Sequence, residues 1–396
     1  MKKNVFSIGE ISKYHIIPFL VPLFHLATSY VQRDIIIENK KYHKDMDFFN
    51  DGYEFPYFIN AYISKIFSVI LYIISKYILN KEEISPELQL TKKIRIYHLN
   101  VNSNNKLKIL FHIIIISILE VIFMKENIRT LESKGLIGIK LGFTIFVPIF
   151  SYILLRIKYY RHHFVSIGIG LFGFIFIILS LFYPSNDEER HGFKEHLKHL
   201  SYSIPYSLSL VLIAHLFKHY FIYPSTFLML NGIFCVFFSF LYILIKTLLI
   251  LNKTDLFINN LKKLTFIFLN IKIFALFISI LILSFLYYLT ITLTLYYFTP
   301  TLLVMTDILS PVLRWVVDCL VAMFYHEENL NVKQSILNAI GYIFIITASF
   351  LFNEIVICNF WKLNYNTIEE IKKRGIEDAI KRDSCLYPIN ESIISN

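Results

Sequence analysis

Cysteine, glycine and charge are all scarce in this chain, and each scarcity removes a class of protein. Four cysteines stand in 396 residues (Cys235, Cys319, Cys358, Cys385). They are scattered and form no CxxC pair, so neither a disulfide framework nor a thiolate metal site is indicated. Charged residues make up 17% of the chain, against about 25% in soluble domains. The longest loops run to about 25–30 residues, short of the ~40 that a self-supporting core needs, so no folded soluble domain is expected. There is no HExxH, P-loop, nucleophile elbow or dinucleotide fingerprint, and no enzyme is expected. His162-His163 has no further ligand at suitable spacing, so no metal is expected, and no cofactor is indicated. Met1-Lys2-Lys3 is basic, but no A-x-A-like site follows the apolar run from Ile16 to Ala27, which speaks against a cleavable signal peptide.

What the chain has in abundance is apolar surface. It is 56% hydrophobic and 17% aromatic, with a mean hydropathy of +0.56. Apolar runs of about 20 residues recur along it, the length needed to cross ~30 Å of hydrocarbon as helix. These features predict an all-α polytopic membrane protein whose first partner is the lipid bilayer. The formal net charge is +10, yet the Lys and Arg residues fall mostly in short loops and tails. That distribution anchors and orients a membrane protein, and nucleic acid is not expected as a partner.

The runs predict ten spans, at about 12–30, 57–79, 109–124, 136–156, 164–183, 202–221, 224–248, 269–297, 300–324 and 335–357. A first five-helix half occupies 1–185, a charged linker 186–201, a second half 202–358, and a polar basic tail 359–396. An even count places both termini on one side, and the basic tails and the 81–108 loop favour the cytosol for it. Asn252-Lys253-Thr254 is then a sequon on the opposite side, too close to the membrane for use. Gly173-Phe174-Ile175-Phe176-Ile177-Ile178 in the fifth span matches Gly341-Tyr342-Ile343-Phe344-Ile345-Ile346 in the tenth. Such matches also arise by chance in a chain rich in Ile and Phe. Taken with five plus five spans, the match points to duplicated halves, and five is odd, so the halves would be inverted.

Several polar groups lie where hydrocarbon should be. Asp307, Arg314 and Asp318 are spaced 7 and 4 apart, which puts them within about 20° of one another on an unbroken helix. A charge at the bilayer centre costs at least ~2.5–3.5 kcal/mol, so such groups face a cavity or each other. Arg314 is the leading candidate to meet an anionic group, with Asp307 coupling or gating; a self-neutralising Arg314–Asp318 pair is the plainer alternative. Pro311 inside this span frees a backbone carbonyl one turn back. Glu120 and Glu354, towards the ends of the third and tenth spans, are either interfacial carboxylates or proton-coupling groups. His215, Lys218 and His219 close the sixth span as an interfacial cap or as a mouth for anions. Lys140 has the position of a snorkelling lysine. Gly138 and Gly142 form a GxxxG that permits close helix approach.

The layout of ten short spans in two halves, with a tight turn between the fourth and fifth, resembles the drug/metabolite transporter superfamily. Within it, the solute carrier 35 group of nucleotide-sugar and triose-phosphate transporters is the nearest likeness. The residues that carry it are Leu154 to Tyr160 leading into Ser166 to Gly173, Thr299-Pro300-Thr301 at the head of span nine, and Gly341 in span ten. Members usually place a basic residue sooner after the Thr-rich opening than Arg314 comes here, and they are richer in Gly and Ala. The resemblance implies a secondary transporter of a small polar, anionic metabolite, working by alternating access, resident in endomembranes rather than the plasma membrane. A homodimer is compatible with it. The competing class is a non-transporting membrane protein, receptor-like or an assembly factor, on the same scaffold.

Overall fold

In a computed structural model, residues 6–8, 16–42, 62–68, 70, 103–130, 136–180, 192–220, 222–245, 271–325, 332–358 and 363–367 are described. Outside them lie most of the second expected span, most of the 81–108 loop, the linker from 186 to 190, the sequon at 252–254 and most of the tail. The described chain is built of helices: α1 (Ile16–Tyr42), α2 (Ser103–Thr130), α3 (Leu136–Leu155), α4 (Arg161–Ser180), α5 (Gly192–Tyr220), α6 (Pro224–Ile245), α7 (Ile271–Tyr297), α8 (Pro300–Asp307), α9 (Leu309–Tyr325) and α10 (Val332–Phe352). One short antiparallel ladder pairs β1 (Phe6–Ile8) with β2 (Val356–Cys358), Phe6 opposite Cys358.

Six helical stretches among the described residues are long and apolar enough to cross a membrane: Lys106–Met124, Arg161–Ser180, His199–Tyr220, Pro224–Ile245, Ile271–Tyr297 and Lys333–Phe352. Ile16–Val31 and Ile139–Leu155 are shorter apolar helices. The protein is therefore an all-α integral membrane protein, as its composition dictates. Large apolar side chains such as Tyr152, Phe164, Ile233 and Ile282 face outward, which lipid tolerates and water does not.

The ninth expected span is two helices. Thr299 caps α8, its hydroxyl accepting the Leu302 N–H at 3.3 Å, and Pro300 opens the first turn, where its missing N–H costs nothing. Pro311 then has no N–H for the carbonyl of Asp307, and its ring crowds that turn. The helix accordingly ends at Asp307 and restarts at Leu309.

The chain divides into two compact units: one comprises 1–26, 130–214 and 294–396, the other 27–129 and 215–293. In the first unit α4 and α10 lie against each other over their whole length, and they run antiparallel. His163 meets Phe352 with ring centroids 4.7 Å apart, Gly170 faces Ala348, and Ser180 donates to Asn338 Oδ1 at 2.6 Å. Midway, a methyl added to Gly173 would stand 2.7 Å from the Gly341 carbonyl oxygen, and one added to Gly341 would stand 2.8 Å from that of Gly173. Glycine is needed at both positions for the backbones to approach this closely. The two copies of the sequence repeat are thus in contact with each other, and their contacts exchange symmetrically. Gly173 faces Ile345 as Gly341 faces Ile177, and Phe176 stacks on its counterpart Phe344 at 5.7 Å.

Candidate functional site

Among the described residues, each unit buries a lysine against a carboxylate from a distant part of the sequence. In the second unit Lys65, on the helical stretch 62–66, pairs with Glu120 of α2, the side chains being 2% and 7% exposed. The ammonium also donates to Asn231 Oδ1 of α6 at 2.7 Å. It stands 4.5 Å from the centre of the Tyr288 ring and 5.2 Å from that of Tyr62, so aromatic faces cover what hydrogen bonds do not. Asn231 passes the network on to Ser117 Oγ at 3.2 Å, and the Cys235 thiol lies 3.4 Å from Glu120 Oε2. The helices can close on the lysine because Gly232 leaves room: a methyl there would meet Lys65 Cβ at 2.9 Å.

In the first unit Lys140 of α3 pairs with Asp307, the last residue of α8, at 3% and 10% exposure. An aspartate at a helix C-terminus opposes the helix dipole, so the cation beside it answers a local need. This pair is less complete than the other. Among the described residues Lys140 has Asp307 as its one acceptor, its other neighbour being the Phe143 ring at 5.8 Å. Asp307 Oδ1 is buried with no hydrogen-bond partner there. His25 of α1 lies within electrostatic reach of Lys140, Asp307 and Arg314. Behind the pair, the N-terminus of α8 is pinned by Tyr159, whose hydroxyl is 2.5 Å from Thr301 Oγ1 and 3.4 Å from the Pro148 carbonyl. Tyr159 sits in the turn between α3 and α4, where burial pushes its hydroxyl up to about 12; it stays a neutral donor.

The residues singled out from sequence are distributed as follows. Asp307 and the Arg314–Asp318 pair stand on either side of the turn residue Ile308 and take different partners. Arg314 Nε lies 3.9 Å from Asp318 Oδ2, at 38% and 48% exposure, while Asp307 turns to Lys140. Lys140 does not reach out as a snorkelling residue, and Glu120 is not interfacial: both are buried in ion pairs. His215 lies against His219 with tilted rings 4.1 Å apart and stacks on His112 at 6.2 Å, with Lys218 half-buried beside them. His112 holds the Lys108 carbonyl through Nδ1 at 2.7 Å. Gly142 packs against Ser203 of α5.

Glu354 lies just past α10, in a turn facing the start of α4. Its Oε1 is 3.2 Å from His162 Nε2, which is itself 3.1 Å from His163 Nε2. The fold thus supplies to His162-His163 the third ligand-type atom that local spacing does not offer.

Lys65 carries the same signal in the sequence as Asp307, an ionisable group inside an apolar run, although it shares that run with Lys76. Asn231 carried no signal by itself. No protein-family model matches the chain, and no curated protein matches it.

Proposed function

We propose that the chain is a secondary transporter that moves a small polar solute by alternating access, with ten helices in two inverted halves and no covalent chemistry of its own. Anionic metabolites such as nucleotide sugars and sugar phosphates are the first class to test, in an endomembrane setting.

One observation carries this reading. The repeat copies are offset by 168 residues, from Gly173 to Gly341. Lys140 and Asp307 are 167 residues apart, and Lys65 and Asn231 are 166 apart. Each buried lysine therefore has a partner in the opposite half that lies within one or two residues of its repeat-equivalent position. Tyr288, on the face of Lys65, stands 168 residues after Glu120. In inverted-repeat transporters the substrate and coupling sites lie where the repeats meet, and charges kept inside apolar helices mark solute or ion pathways. The broken helix at Ile308, ending on Asp307, adds a backbone discontinuity of the kind that transporter sites use.

In this reading Lys140 and Asp307 form the working pair, Arg314 supplies a second positive charge for an anionic group, and Lys65–Glu120 is the second coupling candidate. The test is counterflow uptake in proteoliposomes against a panel of nucleotide sugars, sugar phosphates, nucleotides and amino acids. Uptake of one class, lost in Asp307→Asn, is the expected result. Silence across the panel with folded protein would overturn the assignment and leave a non-transporting membrane protein.

A further inference from the structure

We propose that His162, His163 and Glu354 form a binding site for a divalent cation of the zinc class, where α4 begins and α10 closes. Three features support it. The first is spacing. Zinc–nitrogen bonds of 2.0–2.1 Å arranged tetrahedrally put neighbouring ligand atoms roughly 3.3 Å apart. His162 Nε2 stands 3.1 Å from His163 Nε2 and 3.2 Å from Glu354 Oε1, and all three atoms lie within 4.8 Å of one another. Both histidines are 2% exposed, so this is no surface cluster held apart by water.

The second feature is the backbone under Glu354. The Ile355 N–H reaches the Phe350 carbonyl at 3.0 Å and the Glu354 N–H reaches that of Leu351 at 3.2 Å. These two bonds define a helix-closing turn whose central residue adopts the left-handed conformation, a place normally taken by glycine. Glu354 occupies it with a φ of 56°. A side chain is kept where glycine would be easier, and its carboxylate is directed at the histidines. The β1–β2 ladder begins two residues later, at Val356, and holds the turn in place.

The third feature is the hydrogen count. The Tyr160 N–H donates to His163 Nδ1 at 3.1 Å, so in neutral His163 the hydrogen sits on Nε2 and points at His162 Nε2. One hydrogen cannot serve both contacts of His162 Nε2, to His163 and to Glu354. A cation drawn to all three lone pairs resolves the conflict. Ligation through His163 Nε2 moves its hydrogen to Nδ1, where it faces the Tyr160 N–H, so metal binding requires the Tyr160 amide to turn away from the ring. Two imidazoles and one carboxylate suit zinc, whereas all-oxygen sites suit calcium or magnesium.

The test is direct metal binding by the full-length protein, purified in detergent and stripped with a chelator. Zinc is titrated by calorimetry, and cobalt is followed by its visible d–d absorption. One ion per chain with the bands of a tetrahedral site is expected. Glu354→Gly keeps the turn and removes a ligand, so its affinity falls by more than about 100-fold, beyond what outer-shell changes cause, while the metal-free variant melts no lower than the native chain. His162→Gln leaves the turn untouched and gives the same loss. Absence of a stoichiometric ion in the native protein, or native affinity in either variant, would overturn the site. Because binding is read without transport, failure here leaves the transport assignment standing, and the reverse also holds.

Discussion

The two buried lysines differ in how fully their surroundings answer them. Lys65 has a carboxylate, an amide oxygen and two aromatic faces, and its carboxylate has further company in Cys235. Lys140 has one carboxylate oxygen, and the second oxygen of Asp307 is buried with no partner among the described residues. A saturated pair resists change, because every partner would have to be replaced. An unsaturated pair has donors and an acceptor to offer. On the proposed transport reading, Lys140–Asp307 is therefore the pair suited to meet a solute or coupling ion, and Lys65–Glu120, the second candidate, is the one suited to holding its unit together.

The largest effect is expected where saturation is highest. Lys65→Met or Glu120→Leu alone strands the opposite charge in an apolar interior, a loss of about 3–5 kcal/mol, seen as a steep fall in the thermal midpoint in detergent. The double variant Lys65→Met/Glu120→Leu should recover most of that loss, since hydrophobic replacement of a whole buried pair is often neutral or stabilising. Single variants that melt like the native chain would remove the structural role given to this pair.

Asp307→Asn comes next. It leaves the Lys140 charge uncompensated but keeps an oxygen acceptor for it, so its stability cost is expected at the lower end of the about 3–5 kcal/mol for a broken buried pair. Uptake, in contrast, should vanish. If Asp307→Asn destabilised as much as the matching Glu120→Gln, the two pairs would be alike and the division of labour would fail.

The third prediction concerns the glycine contact at the centre of the repeat. Gly341→Ala places a methyl 2.6 Å from the Ile177 side chain and 2.8 Å from the Gly173 carbonyl, which forces α4 and α10 apart at a cost of about 1–3 kcal/mol. Gly168→Ala, with nothing within 4 Å of the added methyl, is the control and should be neutral or stabilising by up to ~1 kcal/mol. Equal melting of the two variants would deny that the repeat contact holds the helices in register.

Much of this architecture was readable in advance. Apolar run length identified helices that carry it, whereas the Gly173 and Gly341 motifs read as a repeat and only the structure shows that they meet, α4 against α10. The charged pairs were harder. Glu120 and Asp307 stood out one at a time, but their partners lie 55 and 167 residues away, and no periodicity links such positions. Lys140 was assigned to the headgroups because a lysine one turn into a span usually reaches them, whereas here a buried carboxylate is nearer than water. Helical-wheel geometry joined Asp307 to Arg314 by assuming one straight helix. Pro311 denies that assumption, and the proline was visible in the sequence while the direction taken by Asp307 was not. The turn at Glu354 was unreadable, since nothing in the sequence marks a glutamate as holding a glycine's conformation.

Arg314 separates stability from function most cleanly. Its pair with Asp318 is an i,i+4 contact at 3.9 Å on a half-exposed helix face, so Arg314→Ala should change stability by no more than about 1 kcal/mol. Yet Arg314 shares an electrostatic neighbourhood with Lys140, Asp307 and His25, where an incoming anion would need a second positive charge, Lys140 being already engaged. Uptake of an anionic solute should therefore fall in Arg314→Ala at unchanged melting temperature, and Arg314→Lys should restore part of it. A solute taken up equally well by Arg314→Ala and the native chain would make Lys140 the sole cation of the site. With Asp307 already neutralising it, the site would then favour neutral or zwitterionic solutes over anions.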